Sequence, residues 1–279
     1  MRLLSPLPLS WVRGLGWLLG QLLYLLIVSR RKVALVNLGL CFPEQTIAQR
    51  RQWARQSFVC FCQAWLDRAW LWHGKLGKVT ERLKLTGAID ALKSDQPVIL
   101  FVPHFYGLDA GGVALGLYCE RAFCSIYTPQ RNLAVDAWLK RGRTLYGKVK
   151  LFHRQDGVKP VIKEVRSGSM LYLLPDMNFG LSESVFVPFY GVSTATVPSL
   201  SRFARLVQGS IVPLVVRMTA TGYDAEVLPA WENFPTEDLH ADTARMNSHL
   251  QTYIDTMPAQ YYWVHKRFKD RPEGEPSVY

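Results

Sequence analysis

A histidine and an aspartate, His104 and Asp109, stand five positions apart, directly after an apolar run, Val98-Ile99-Leu100-Phe101-Val102, that ends in Pro103. A hydroxyl group is nearly inert as a nucleophile at neutral pH. Acyl transfer to an alcohol therefore needs a base that works near that pH, and a neutral imidazole suits the role. A carboxylate bonded to the other ring nitrogen fixes the tautomer and stabilises the imidazolium that forms. The spacing offers Asp109 to His104 for this purpose, because five residues across a turn into a helix can bring the two side chains together. A second carboxylate, Asp176, follows the apolar run Met170 to Leu174 and Pro175, in the same order of strand, proline and polar residue. Both sit where a strand ends at its carboxyl side, the place where ligands and chemistry gather in open α/β sheets.

No serine or cysteine lies in a G-x-S-x-G elbow, which favours direct attack by an acceptor hydroxyl over a covalent acyl-enzyme. Backbone N–H groups near Gly107, at the start of the following helix, are candidates for holding a developing oxyanion. Arg131, Arg141 and Arg143 lie between the two strand-end carboxylates. Arginine binds phosphate through two parallel hydrogen bonds, so these residues suit a phosphorylated acceptor or a phosphopantetheine-linked donor; a solvated helix face is the plainer alternative. Near the end, Lys266, Arg267, Lys269 and Arg271 mix with Tyr261, Tyr262, Trp263 and Phe268. Such mixtures suit nucleic acid or a membrane surface. The five cysteines fit no zinc spacing and sit among apolar neighbours, so they read as reduced, buried thiols with no metal and no cofactor attached.

The elements that must position these groups follow from the hydrophobic pattern. With 279 residues, 49% of them hydrophobic, the chain can bury a sizeable core, and its net charge of +11 favours an anionic partner. From Leu3 to Val28 the only charge is Arg13, and Ser29-Arg30-Arg31-Lys32 follows. A short membrane anchor or an interfacial helix with a basic end fits this better than a cleaved signal peptide or a buried core helix, and it makes membrane contact more economical than nucleic acid for the basic tail. Residues 1–32 are accordingly expected to form a membrane-anchoring segment and residues 33–279 a catalytic domain. Glu44 to Trp72 reads as one long helix with an apolar face through Phe58, Phe61, Trp65 and Trp72. Beyond it, expected strands at 79–85, 98–102, 122–127, 148–152 and 170–174 alternate with helices, and 211–218 pairs with 223–228 across Gly222. The alternation predicts an α/β fold with a mixed, mainly parallel sheet flanked by helices.

Taken together, these segments resemble the lipid A late acyltransferases, the lauroyl and myristoyl transferases of lipopolysaccharide biosynthesis, within the wider H-x4-D glycerolipid acyltransferase group. The resemblance is carried by Asn37-Leu38-Gly39-Leu40-Cys41-Phe42-Pro43, His104 to Asp109, Gly142-Arg143, Pro175-Asp176 with Phe179-Gly180, Val185 to Gly191, and the ending from Pro258 to Pro272. It implies an enzyme on the cytoplasmic face of a Gram-negative inner membrane, in contact with its phospholipids. Such an enzyme moves a fatty acyl chain from acyl carrier protein to a hydroxyl of a phosphorylated lipid A precursor. It also implies His104 as base, Asp109 as its partner, Asp176 as a further active-site carboxylate and Arg143 as a phosphate-binding or structural cation. A lysophospholipid or other glycolipid acceptor, and a non-catalytic protein that binds membrane surfaces, are the competing expectations.

Overall fold

The computed structural model describes residues 1–279. Two helices open the chain, α1 (Leu9–Leu26) and α2 (Val28–Cys41), bent by 92° at the break between them. The long α3 (Ile47–His73) starts behind Thr46, whose hydroxyl accepts the Gln49 N–H at 3.1 Å and so satisfies one free donor of the first turn. α1 lies along α3 at very short range. A Cβ at Gly20 would come within 2.5 Å of the Val59 Cα, so only glycine permits that approach. Arg13 locks the contact: it is buried, pairs with Asp67 at 3.0 Å and donates to the Thr219 and Gly222 carbonyls. The opposite face of α1 leaves Trp11, Trp17, Leu18, Leu22, Leu25 and Leu26 exposed. No single helix is long and apolar enough to cross a membrane, although α1 and α2 together have the length and composition. Residue 32, where composition suggests a division, falls inside α2.

The next elements are α4 (Leu76–Arg82), β1 (Leu83–Gly87), β2 (Val98–Phe101), α5 (Leu108–Tyr118), β3 (Phe123–Tyr127), α6 (Leu133–Arg143), β4 (Val149–His153), α7 (Lys159–Arg166) and β5 (Met170–Leu173). They are followed by β6 (Val185–Phe189), β7 (Val192–Thr196), α8 (Ser199–Val207), β8 (Ser210–Met218), β9 (Tyr223–Val227) and α9 (Leu239–Asp255). Seven strands form one sheet in the order β1-β9-β8-β2-β5-β3-β4, parallel except between β8 and β9. This is the expected mixed, mainly parallel architecture. Successive residues of β2 face opposite sides, Ile99 and Phe101 toward α8 and α9, Val98 and Leu100 toward α5 and the end of α3. Burial on both faces explains why these strands read as unbroken apolar runs.

Two expectations change. Val79 lies in α4 rather than in a strand: Val79 and Leu83 are buried four positions apart with mostly polar residues between, a helical period, and the strand starts only at Leu83. β7 was not anticipated. It pairs with β6 as a separate antiparallel hairpin, and its buried inward residues include Thr194 and Thr196, so no large apolar alternation announces it.

Candidate active site

Parallel register decides what faces what. Phe101 of β2 pairs with Leu173 of β5, so the residues three places beyond each, His104 and Asp176, emerge side by side. The His104 Nδ1 lies 2.7 Å from Asp176 Oδ1, and the His104 backbone N–H donates to Asp176 Oδ2 at 3.0 Å. Asp176 is fully buried. Burial works to raise its carboxyl, yet the adjacent imidazole and the two bonds to His104 hold it below the ordinary carboxylate range. An ionised acceptor on Nδ1 makes that nitrogen the proton carrier of a neutral ring, which leaves Nε2 with its lone pair free. The loop is fixed from behind: Tyr262 N–H donates to the His104 carbonyl at 3.1 Å, Tyr106 N–H to the Gln260 carbonyl at 3.0 Å, and the Tyr106 hydroxyl meets Ser57 Oγ at 2.7 Å.

The expected His104–Asp109 bond is therefore replaced by His104–Asp176. Asp109 stands in the first turn of α5, and both its oxygens are taken by arginines, Oδ2 by Arg68 at 2.6 Å and Oδ1 by Arg143 at 2.8 Å. Burial would raise this carboxyl, but the two guanidiniums overcome it and bring its pKa down to about 2. His104, Asp109 and Arg143 share the wall of a cavity of about 740 Å³. The rest of the lining is mainly apolar, with Val113, Phe123, Leu151, Leu173, Met177 and Phe203 among it. A basic nitrogen at the wall of an apolar cavity, near a half-buried pair of guanidiniums, can take a proton from a hydroxyl while a hydrocarbon chain occupies the space.

The residues 1–270 match the family model for bacterial lipid A biosynthesis acyltransferases. The chain belongs to that family. It is 34% identical to a lipid A biosynthesis acyltransferase of Haemophilus influenzae over 88% of this chain and 78% of that one. It is 31% identical to the lipid A biosynthesis lauroyltransferase of Escherichia coli, covering 99% of this chain and 91% of the relative. A myristoyltransferase of lipid A biosynthesis from the same organism is 30% identical, over 90% of this chain and 79% of that one. The protein is thus an acyltransferase of lipid A biosynthesis.

The two segments that most strongly suggested this family turn out to touch each other. Asn37, from the front motif, donates to the Trp263 and His265 carbonyls at 2.7 and 2.8 Å. In the tail, His265 Nε2 accepts the Asn178 N–H at 3.1 Å, and buried Arg267 donates to Thr196 Oγ1 and the Ala195 carbonyl at 2.8 and 2.9 Å. Front and tail together hold the loop that carries Asp176. The other expected site residues separate. Arg143 reaches the cavity, Arg141 faces a different cleft, and Arg131 is exposed away from both. Gly107 caps α5 and packs against Val216 and Tyr223 rather than lining the cavity. Arg68 has little signal in the sequence beyond its position three residues after Trp65 and four before Trp72.

Proposed function

We propose that the protein transfers a fatty acyl chain from acyl carrier protein to a hydroxyl of a lipid A precursor, with His104 as base and Asp176 as the group that orients it. The observation that carries this reading is the imidazole whose Nδ1 is bonded to buried Asp176 and which lines a largely apolar cavity. Nε2 takes the proton as the acceptor oxygen attacks the thioester carbonyl, and the imidazolium returns it to the departing thiol, leaving an ester and a free thiol. Asp109 keeps Arg143 in the wall, where the guanidinium meets anionic or polar parts of the substrates. The exposed indoles and leucines of α1 suit burial at a lipid interface, and we assign that face of the protein to the cytoplasmic surface of the inner membrane.

Purified protein in detergent should move a labelled acyl group from acyl carrier protein to a tetra-acylated lipid A precursor, and His104→Ala should lower turnover about a thousandfold or more while the protein stays folded. Near-normal turnover by that variant would remove His104 from the base role. Lysophospholipid acylation in place of lipid A acylation would move the acceptor to another class.

A further inference from the structure

A second cleft, of about 700 Å³, opens where the end of α3 meets the end of α6. Indole rings of Trp65, Trp72 and Trp138 form its walls, Arg2 and Arg141 bring positive charge, and no carboxylate lines it. Trp72 is 5% exposed, yet its indole N–H has no hydrogen-bond partner. Arg141 is exposed and has no acidic partner, unlike Arg143 two residues on. Burial, Arg2 and Arg141 all push the His73 ring toward its neutral form, and its Nε2 accepts the Trp138 indole N–H at 3.2 Å. A desolvated donor and two cations with no counter-ion form a pocket that favours an anion, and flat indole faces favour a ring stacked on them.

This cleft and the catalytic cavity are both lined by the last turn of α6. Gly142 is seated on Trp72, where a Cβ would come within 2.2 Å of the indole, so the last turn of α6 directs Arg141 to the cleft and Arg143 to the cavity. Arg68 stacks 4.4 Å from the Trp65 ring centre while its guanidinium holds Asp109. We propose that the cleft binds the phosphate-bearing sugar end of the acceptor, with Arg141 and Arg2 on the phosphate and an indole face against the sugar ring. The assignment rests on the acyltransferase reading above. It gives the acceptor two holds, one on its charged end and one at the reacting hydroxyl.

The test compares full-length protein with Arg141→Ala, using a bisphosphorylated tetra-acyl acceptor and its two singly dephosphorylated forms. Losing a charged hydrogen-bond partner should raise the acceptor KM about tenfold or more, with little change in kcat and none in donor KM. With one of the dephosphorylated acceptors the difference between the two proteins should disappear, and Arg141→Lys should restore part of the affinity. Equal acceptor KM for both proteins overturns the proposal. A rise in donor KM alone also overturns it, since the cleft would then take the phosphopantetheine phosphate. A binding measurement needs no turnover and so survives failure of the reaction reading: glucosamine 1-phosphate should quench tryptophan fluorescence saturably in the parent protein and weaken in Arg141→Ala. Identical quenching curves would count against the site whatever the protein catalyses.

Discussion

Asp176 and Asp109 are the same residue type, both buried beside one cavity, and each follows one of two neighbouring parallel strands, Asp176 three residues past the end of β5 and Asp109 eight past the end of β2. What they face differs. Asp176 leaves β5 in an extended loop, and its two oxygens meet the ring and the backbone N–H of His104. Asp109 enters the first turn of a helix, and its two oxygens meet guanidiniums from α3 and α6. An aspartate whose two oxygens are held by arginines, with no bond to His104, aligns cations, whereas one facing imidazole and amide fixes a tautomer. Under the proposed reaction, the difference gives orientation of the base to Asp176 and alignment of cations to Asp109.

Breaking each side of this comparison should give a different kind of loss. Asp176→Asn keeps the shape but offers an amide where Nδ1–H needs an acceptor, which favours the wrong tautomer. Turnover should fall about a thousandfold to ten-thousandfold, or about 4–5.5 kcal/mol on the barrier, with the substrate KM values nearly unchanged. A drop under tenfold would take the orienting role away from Asp176. Asp109→Asn instead leaves two partly buried guanidiniums facing a neutral amide. It should cost about 3 kcal/mol of stability, measured by denaturant midpoint, and reduce turnover far less than Asp176→Asn. The order reversed in a side-by-side assay would return Asp109 to the imidazole.

The acid limb sharpens the same contrast. The folded-state pKa of Asp109, about 2, lies below its ordinary value of 3.8. Its contribution is thus present above about pH 4 and is lost as pH falls through about 2. Denaturant midpoints between pH 6 and 2 should show a descending limb in that window, which Asp109→Asn flattens.

The sheet was largely legible because β2 and β5 are fully apolar runs with a proline two residues on, and His104 and Asp176 were visible just past those prolines. The partner of His104 was not, although the sequence holds the clue. Phe101-Val102-Pro103-His104 and Leu173-Leu174-Pro175-Asp176 have equal spacing, and in a parallel pair aligned at Phe101 and Leu173 that equality sets His104 against Asp176. Adjacency of β2 and β5 is the missing fact, since β3 and β4 intervene in the chain. Arg68 stayed hidden for a related reason. Its partner is 41 residues away, and a helix with several arginines does not say which one turns inward. The structural role of the front and tail motifs appears only once Asn37 is seen beneath Trp263 and His265.

His265 offers a finer test of the region behind Asp176. Burial, helped by Arg267 and His104, pushes its ring down to about 4, while Asp176 pulls the other way. The unfolded chain takes up this proton near pH 6.5, and the folded protein resists until about 4, so stability should fall as pH drops across that interval and level off below it. At a partly exposed ring the loss should be about 2 kcal/mol after allowance for solvent screening. His265→Gln keeps an acceptor for the Asn178 N–H but cannot titrate, so it should flatten the curve between pH 6.5 and 4. The Asp109 limb, which begins lower, should be untouched in that variant. The two windows separate the regions in one titration: the upper reports the tail-held loop of Asp176, the lower the arginine clamp of Asp109. If His265→Gln leaves the upper window intact, another group behind Asp176 titrates there, and the tail's hold on the loop must be traced to Arg267 instead.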